Sequence, residues 1–331
     1  MWMLMSTSRL FYPFFICLMT TGMLIAISSS NWYSIWMGLE INLYSFTPLL
    51  MHMSMTKRKE ATLKYFVAQA VGSTMILTAA LSTASYYSSV LFIMALLLKG
   101  GLAPMHYWYP SVMTNSSWMS CLFLSSIQKI APVVLIISMF NTNLLLILGS
   151  VMVLMGGMGG MNQTQLRAIM AYSSIAQMGW VVAASQISMT INILMLLNYL
   201  LAISMIILIM AYMEWNTSNE STLMNNNAPL LLMVFQLISL GGIPPFLGFL
   251  FKAIIVSKLI SLGAMKTSFI MIMGSILSLY FYLKIMLNST FSFSNNMFIN
   301  ETSLPFTQNL LMWSTGASSL LLMMFIIWPW L

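Results

Sequence analysis

Apolar positions in this chain run in unbroken stretches of roughly 20, the length a helix needs to cross a bilayer. Polar or turn-rich breaks divide them into eleven: 8–28, 32–52, 61–84, 88–112, 118–140, 143–161, 166–186, 190–213, 229–258, 266–288 and 309–330. Each is predicted to be a membrane helix. The largest polar intervals, Glu214 to Ala228 and Asn288 to Gln308, are rich in Asn and Ser and too short for a soluble domain. The expectation is an all-α polytopic membrane protein forming one transmembrane domain over 1–331.

Two of the predicted spans carry internal breaks. The fourth contains Gly100-Gly101-Leu102-Ala103-Pro104, and the ninth contains Gly241-Gly242-Ile243-Pro244-Pro245. Proline removes a backbone donor and glycine loosens the helix, so both spans are predicted to be discontinuous. In lipid, the freed carbonyls and amides are tolerable only against protein or a water-filled cavity. The breaks lie five spans apart, as expected of two inverted five-helix repeats, about 8–140 and 143–288, followed by a final helix at 309–330. Paired broken segments of this kind mark transport paths. The competing explanation is that Gly and Pro are simply frequent in membrane helices.

Composition supports lipid as the main solvent. Of 331 residues, 60% are hydrophobic and 5% charged, against about a quarter charged in soluble domains. The formal charge of +7 is better read as topology than as nucleic-acid binding, because Lys and Arg near span ends set orientation. Arg9, Lys57, Arg58, Lys59 and Arg167 all fall on one side, which places the N-terminus inside and the C-terminus outside. Lys258 and Lys266 lie on the opposite side, and Glu214 and Glu220 on the positive one, so the bias is moderate. Cys17 and Cys121 sit in apolar stretches and read as small core residues. No metal site is expected, nor a haem or iron–sulfur ligand set. Gly156-Gly157-Met158-Gly159-Gly160 follows no strand, so it reads as close helix packing rather than a dinucleotide loop.

The chemistry is expected from charges inside the spans. Glu40 lies near the middle of the second, Lys99 just before the first break, Lys129 mid-way along the fifth, and Lys252 shortly after the second break. Lys99 and Lys129 are each about eleven residues from their span ends, roughly 16 Å from the interface. A lysine stem reaches only about 6 Å, so neither amine snorkels to the headgroups. Lys252 is nearer a span end, where snorkelling competes. Lys64 and Lys284 lie near span ends and favour snorkelling, although Lys64 is also a candidate to line a path from the inner side. Each central charge costs about 2.5–3.5 kcal/mol on insertion scales, so these groups must face the bundle, water or one another. Burial disfavours the charged form of an amine and a nearby carboxylate favours it, so lysines in series can act as a switchable proton relay. Arginine, always protonated, cannot. His106 is either an intermediate carrier or a hydrogen-bonded interfacial residue.

Several runs resemble the chain 2 family of NADH–ubiquinone oxidoreductase, the mitochondrially encoded antiporter-like subunits of respiratory complex I. They are Met37-Gly38-Leu39-Glu40-Ile41-Asn42, Leu97 to Trp108, Gln128-Lys129-Ile130-Ala131-Pro132, Gly160 to Arg167, Ala171-Tyr172-Ser173-Ser174-Ile175 and Gly241 to Phe249. They occur in the family's order from the second to the tenth span, and the short Met-rich form looks invertebrate. The resemblance implies that Glu40 pairs with Lys99, that Lys129 is the central lysine, and that Lys252 is the terminal one. It further implies proton translocation in the mitochondrial inner membrane, with the N-terminus in the matrix and the C-terminus in the intermembrane space. Partners would be other membrane-arm subunits, including neighbouring antiporter-like chains, and lipids such as cardiolipin, with no nucleic acid. NADH, FMN, iron–sulfur clusters and ubiquinone would belong to partner subunits, with no cofactor in this chain. The alternatives are a stand-alone cation/proton antiporter and a structural or quinone-binding scaffold without an ion path.

Overall fold

The computed structural model describes residues 2–51, 56–82, 86–139, 143–213, 227–244 and 246–296. The predicted eleventh span, Pro245 and most of both polar intervals lie outside them. Among the described residues, thirteen helices follow one another: α1 (Trp2–Ser28), α2 (Trp32–Met51), α3 (Thr56–Leu81), α4 (Tyr86–Gly100), α5 (Trp108–Asn115), α6 (Trp118–Ser125), α7 (Ile127–Met139), α8 (Asn143–Met161), α9 (Leu166–Ala184), α10 (Met189–Tyr212), α11 (Asn227–Gly241), α12 (Leu247–Ser261) and α13 (Met265–Asn296). Four stretches among these residues are long and apolar enough to cross a membrane by themselves: Trp118–Met139, Asn143–Met161, Met189–Tyr212 and Met265–Asn288.

Polarity is inverted relative to a soluble bundle. Met189, Ile193, Leu197 and Leu201 form an exposed stripe along α10, and Phe269, Ile272, Met273 and Ile276 do the same on α13. Lys99, Lys129, Lys252, Asn42, Gln69 and Gln177 are buried instead. That arrangement suits hydrocarbon outside and polar contacts inside.

The two glycine breaks end their helices in the same way. At α4, the Leu102 amide donates to Leu97 O (2.8 Å) and the Gly101 amide to Leu98 O (3.1 Å). At α11, the Ile243 amide donates to Ile238 O (3.4 Å) and the Gly242 amide to Ser239 O (3.3 Å). This paired closure needs a left-handed residue after the helix, and Gly101 (φ +59°) and Gly242 (φ +81°) supply it. Without Cβ, glycine takes that conformation at no steric cost.

The fifth span departs from its predicted continuous helix. It is interrupted at Ser126 (φ −105°, ψ −84°), which separates α6 from α7. Pro132 lies inside α7 and has no amide to offer the Gln128 carbonyl. A Ser-Ser pair just upstream of a proline is a recognised source of kinks.

Small residues set the crossings. A Cβ built on Gly149 of α8 would fall 2.8 Å from Gly179 O of α9, and one on Gly156 would fall 2.7 Å from Ala176 N. Gly157 meets Gly274 O of α13 at 2.8 Å in the same test, and Gly38 meets Gly22 O between α1 and α2 at 2.7 Å. The glycine-rich run at 156–160 is thus a packing surface, by which small residues let membrane helices approach closely. Helix α9 lies deepest: all of its residues except Arg167 and Tyr172 are buried. It packs against α5, α7, α8, α10 and α12.

Gly149→Val should therefore destabilise the fold by about 1–3 kcal/mol through overpacking. Met158→Leu, on the exposed side of α8, should be nearly silent. Thermal midpoints of the chain in its native membrane test both, and equal midpoints would refute the crossing geometry.

Candidate proton-relay site

Glu40 and Lys99 come together from α2 and α4, with Nζ 3.6 Å from Oε1 and side chains 2% (Lys99) and 12% (Glu40) exposed. That separation is an ion pair longer than a direct N–H···O hydrogen bond. Among the described residues, neither of those atoms has a hydrogen-bond partner, so Coulomb attraction in a low-dielectric surround is what holds them. Lys99 lies in the last turn of α4, where the helix dipole favours a cation. The Gln69 amide of α3 donates to Lys99 O (2.8 Å), and the Trp108 indole of α5 donates to Leu98 O (2.9 Å). The first meets a carbonyl in the last turn of α4, where helical donors run out, and the second joins the Gly101 amide on Leu98 O. Gly72, one turn from Gln69, leaves room for the lysine stem, because an added Cβ would sit 2.8 Å from Lys99 Cγ.

Lys129 is 1% exposed, one turn into α7. Its amine donates to Ser174 Oγ of α9 at 2.8 Å and stands 4.1 Å from the centroid of the Tyr109 ring of α5. The Tyr109 phenol is in turn 3.1 Å from Ser174 Oγ. Just upstream, the Tyr199 hydroxyl of α10 donates to Ser125 O at 2.9 Å, capping the interruption between α6 and α7.

Lys252 is 7% exposed and folds back onto the second break rather than toward an interface. Its amine donates to Leu240 O (2.9 Å) and Gly241 O (3.1 Å) at the C-terminal end of α11. The Gln177 amide of α9 donates to the same Leu240 carbonyl at 2.8 Å. The Trp180 ring lies 5.9 Å from the amine. Glycine at 242 is required here for space as well as for φ, since a Cβ would be 3.0 Å from Lys252 Nζ.

Polar side chains lie between these three centres. Asn42, two residues after Glu40, accepts from Gln128 (2.9 Å), and Gln128 precedes Lys129. Ser174 and Gln177, three residues apart on α9, then carry the contact from Lys129 to the Lys252 cradle.

The family model described as NADH:quinone oxidoreductase/Mrp antiporter, TM, matches residues 29–88 and 78–279. The NADH-ubiquinone oxidoreductase chain 2 of Lumbricus terrestris is 40% identical over 279 residues, 80% of this chain and 83% of that one. This chain belongs to the NADH-ubiquinone oxidoreductase chain 2 family. Its backbone is also similar to a chain in the structure of respiratory complex I from Thermus thermophilus with bound aureothin. The TM-score is 0.80 at 21% identity, covering 95% of this chain and 78% of that one. A chain of the Mrp complex from Dietzia sp. gives 0.76 at 19% identity over 88% of this chain, which spans only 61% of that longer chain. Both are likenesses of fold.

Within this chain 2 fold the remaining candidates make no hydrogen bond or ion pair with the three amines among the described residues. His106 is buried in the first break, with Nδ1 3.2 Å from Pro104 O and its ring stacked on Tyr107 at 4.6 Å. Lys64 pairs with Glu60 at 3.3 Å on an exposed face of α3. Gln69, Tyr109, Ser174, Gln177 and Trp180 were not singled out from sequence. The usable signal lay in α9, where Ser174 and Gln177 recur at helical spacing in an otherwise apolar segment.

Removing one partner of the buried pair, as in Glu40→Ala, should destabilise the assembled protein by about 3–5 kcal/mol, because an ammonium is left uncompensated. The double variant Glu40→Gln with Lys99→Met should recover most of that loss. Denaturant or thermal unfolding of Glu40→Ala, Glu40→Gln, Lys99→Met and the double variant measures the coupling, and strict additivity of the Gln and Met singles would show that the pair is not coupled.

Proposed function

We propose that this chain is a core membrane-arm subunit of respiratory complex I in the mitochondrial inner membrane. In this reading it translocates protons in step with electron transfer from NADH to ubiquinone, through Glu40, Lys99, Lys129 and Lys252. The observation that carries the reading is that three buried amines stand at three helix interruptions, with the polar side chains Asn42, Gln128, Ser174 and Gln177 between them. Membership of the chain 2 family supports the assignment to the complex.

The chemistry follows from environment. An ammonium in a low-dielectric interior is held by whatever counter-charge or acceptor faces it. Lys99 keeps its proton while ionised Glu40 is beside it, and moving the carboxylate away favours release toward Lys129 and then Lys252. His106 and Lys64 are accessory candidates at either side of this route. The matching closures at Gly101 and Gly242 support two inverted five-helix units, about 8–140 and 143–288, within one domain. The N-terminus is assigned to the matrix and the C-terminus to the intermembrane space. NADH, FMN, the iron–sulfur clusters and ubiquinone belong to partner subunits. The direct partners are neighbouring membrane-arm chains, antiporter-like ones among them, with lipids such as cardiolipin around them.

In the assembled complex, Lys129→Ala and Lys99→Ala should lower both proton pumping and coupled turnover severalfold without loss of assembly. An unchanged proton-to-electron ratio in the fully assembled variants rejects the relay. Sodium-for-proton exchange by the isolated chain in liposomes, with that ratio unaffected, would favour a stand-alone antiporter instead.

A further inference from the structure

The three buried amines have partners of different chemical kinds. Lys99 faces a carboxylate and Lys252 faces two backbone carbonyls. An ionised carboxylate and a carbonyl accept hydrogen bonds and never donate them. Lys129 faces the Ser174 hydroxyl, which does both.

The difference matters when the proton leaves. Against an ammonium, Ser174 Oγ accepts from Lys129 at 2.8 Å. Its own hydrogen then goes to Ala171 O at 2.6 Å or to the Tyr109 oxygen at 3.1 Å. Against a neutral amine, whose nitrogen carries a lone pair, the same hydroxyl turns about its Cβ–Oγ bond and donates to Lys129 instead. The Tyr109 ring holds the amine in place on its other side, 4.1 Å from the ring centroid. One hydroxyl thus offers a hydrogen bond to either protonation state at a fully buried position, where an unmatched lone pair or proton is costly.

We propose that Ser174 is the positioning residue that lets Lys129 change protonation state inside the membrane, by serving as acceptor to its ammonium and donor to its amine. This rests on the relay reading above. The step is a proton transfer: one Nζ–H bond of Lys129 breaks, the proton passes to a water molecule acting as the next carrier, and the electron pair stays on nitrogen. Ser174 ends with the single hydrogen it began with. Lys99 and Lys252 face acceptors only, so among the described residues the lone pair of either neutral amine meets no donor.

The test compares assembled complexes carrying Ser174→Ala, Ser174→Thr, Ser173→Ala, Lys129→Ala and the double variant Ser174→Ala/Lys129→Ala. Coupled turnover and the proton-to-electron ratio are read in sealed membrane vesicles. Loss of the hydroxyl in Ser174→Ala should lower coupled turnover roughly tenfold, and Ser174→Thr should restore it to within about twofold. Ser173→Ala removes the neighbouring hydroxyl, which bonds Met170 O, and should match the parent. The double variant should be no worse than Lys129→Ala alone, which a merely structural role for Ser174 would not produce. If Lys129→Ala abolishes pumping while Ser174→Ala is unaffected, the inference is overturned, as it is if an assembled Thr variant falls as far as Ala. Where the Thr variant does not assemble, additivity with Lys129→Ala overturns it. Normal pumping by Lys129→Ala overturns the relay itself and is thereby told apart.

Discussion

Hydrocarbon offers no hydrogen bonds, and the rest of this structure depends on that constraint. Each interruption of a helix frees carbonyls that lipid cannot satisfy, so each must be met by a side chain from another helix. Gln69 and Trp108 serve the break after α4, Tyr199 the interruption at Ser126, and Gln177 with Lys252 the break after α11. The interruptions therefore fix their neighbours. A polar residue must arrive from α3, α5, α9, α10 or α12 at a defined height, and its arrival pins the packing of the element that carries it. Polar contacts that cost stability in a soluble core here determine which helices meet.

The same constraint sets the environment of the amines. Breaks are the places where a membrane protein has negative ends of helix dipoles and bare carbonyls in its interior. Lys99 closes α4 and the Lys252 amine caps α11, so both rest on such an end. Lys129 is placed differently, at the start of α7. No helix C-terminus holds it; a hydroxyl and an aromatic face do. A cation over a desolvated ring gains about 2 kcal/mol, modest beside an ion pair at the same depth. The central amine thus meets a hydroxyl and a ring where the other two meet a carboxylate or carbonyls.

Much of this was legible in the chain, and what was not has a physical cause. The all-helical character and the two Gly-Pro breaks are written in the local sequence, because glycine and proline act locally on the backbone. The depth of Lys99 and Lys129 followed from counting residues at a fixed rise. Lys252 was ambiguous, since distance to a helix end says nothing about a side chain folding back onto carbonyls eleven and twelve residues earlier. The interruption at Ser126 was missed because serine is compatible with a membrane helix, and the proline that loosens it lies six positions on. Ser174 and Gln177 were hidden for another reason. Helical spacing puts them on one face, but which face of α9 meets α7 and which meets α11 is decided by the glycines of α8, through packing the local sequence of α9 does not contain.

Those glycines explain why α9 can link two sites. Gly149 and Gly156 bring the backbone of α8 against Gly179 and Ala176, leaving α9 buried along nearly its whole length. A helix clamped by backbone-to-backbone contact has little freedom to shift, since close-packed interiors transmit displacement rather than absorb it. Ser174 and Gln177 are therefore fixed points, and motion at either lysine must come from the elements opposite them. For Lys129 that element is α7, loosened at Ser126 and Pro132. For Lys252 it is the break between α11 and α12, closed only by the turn at Gly242. The arrangement sets movable amines against a rigid polar post.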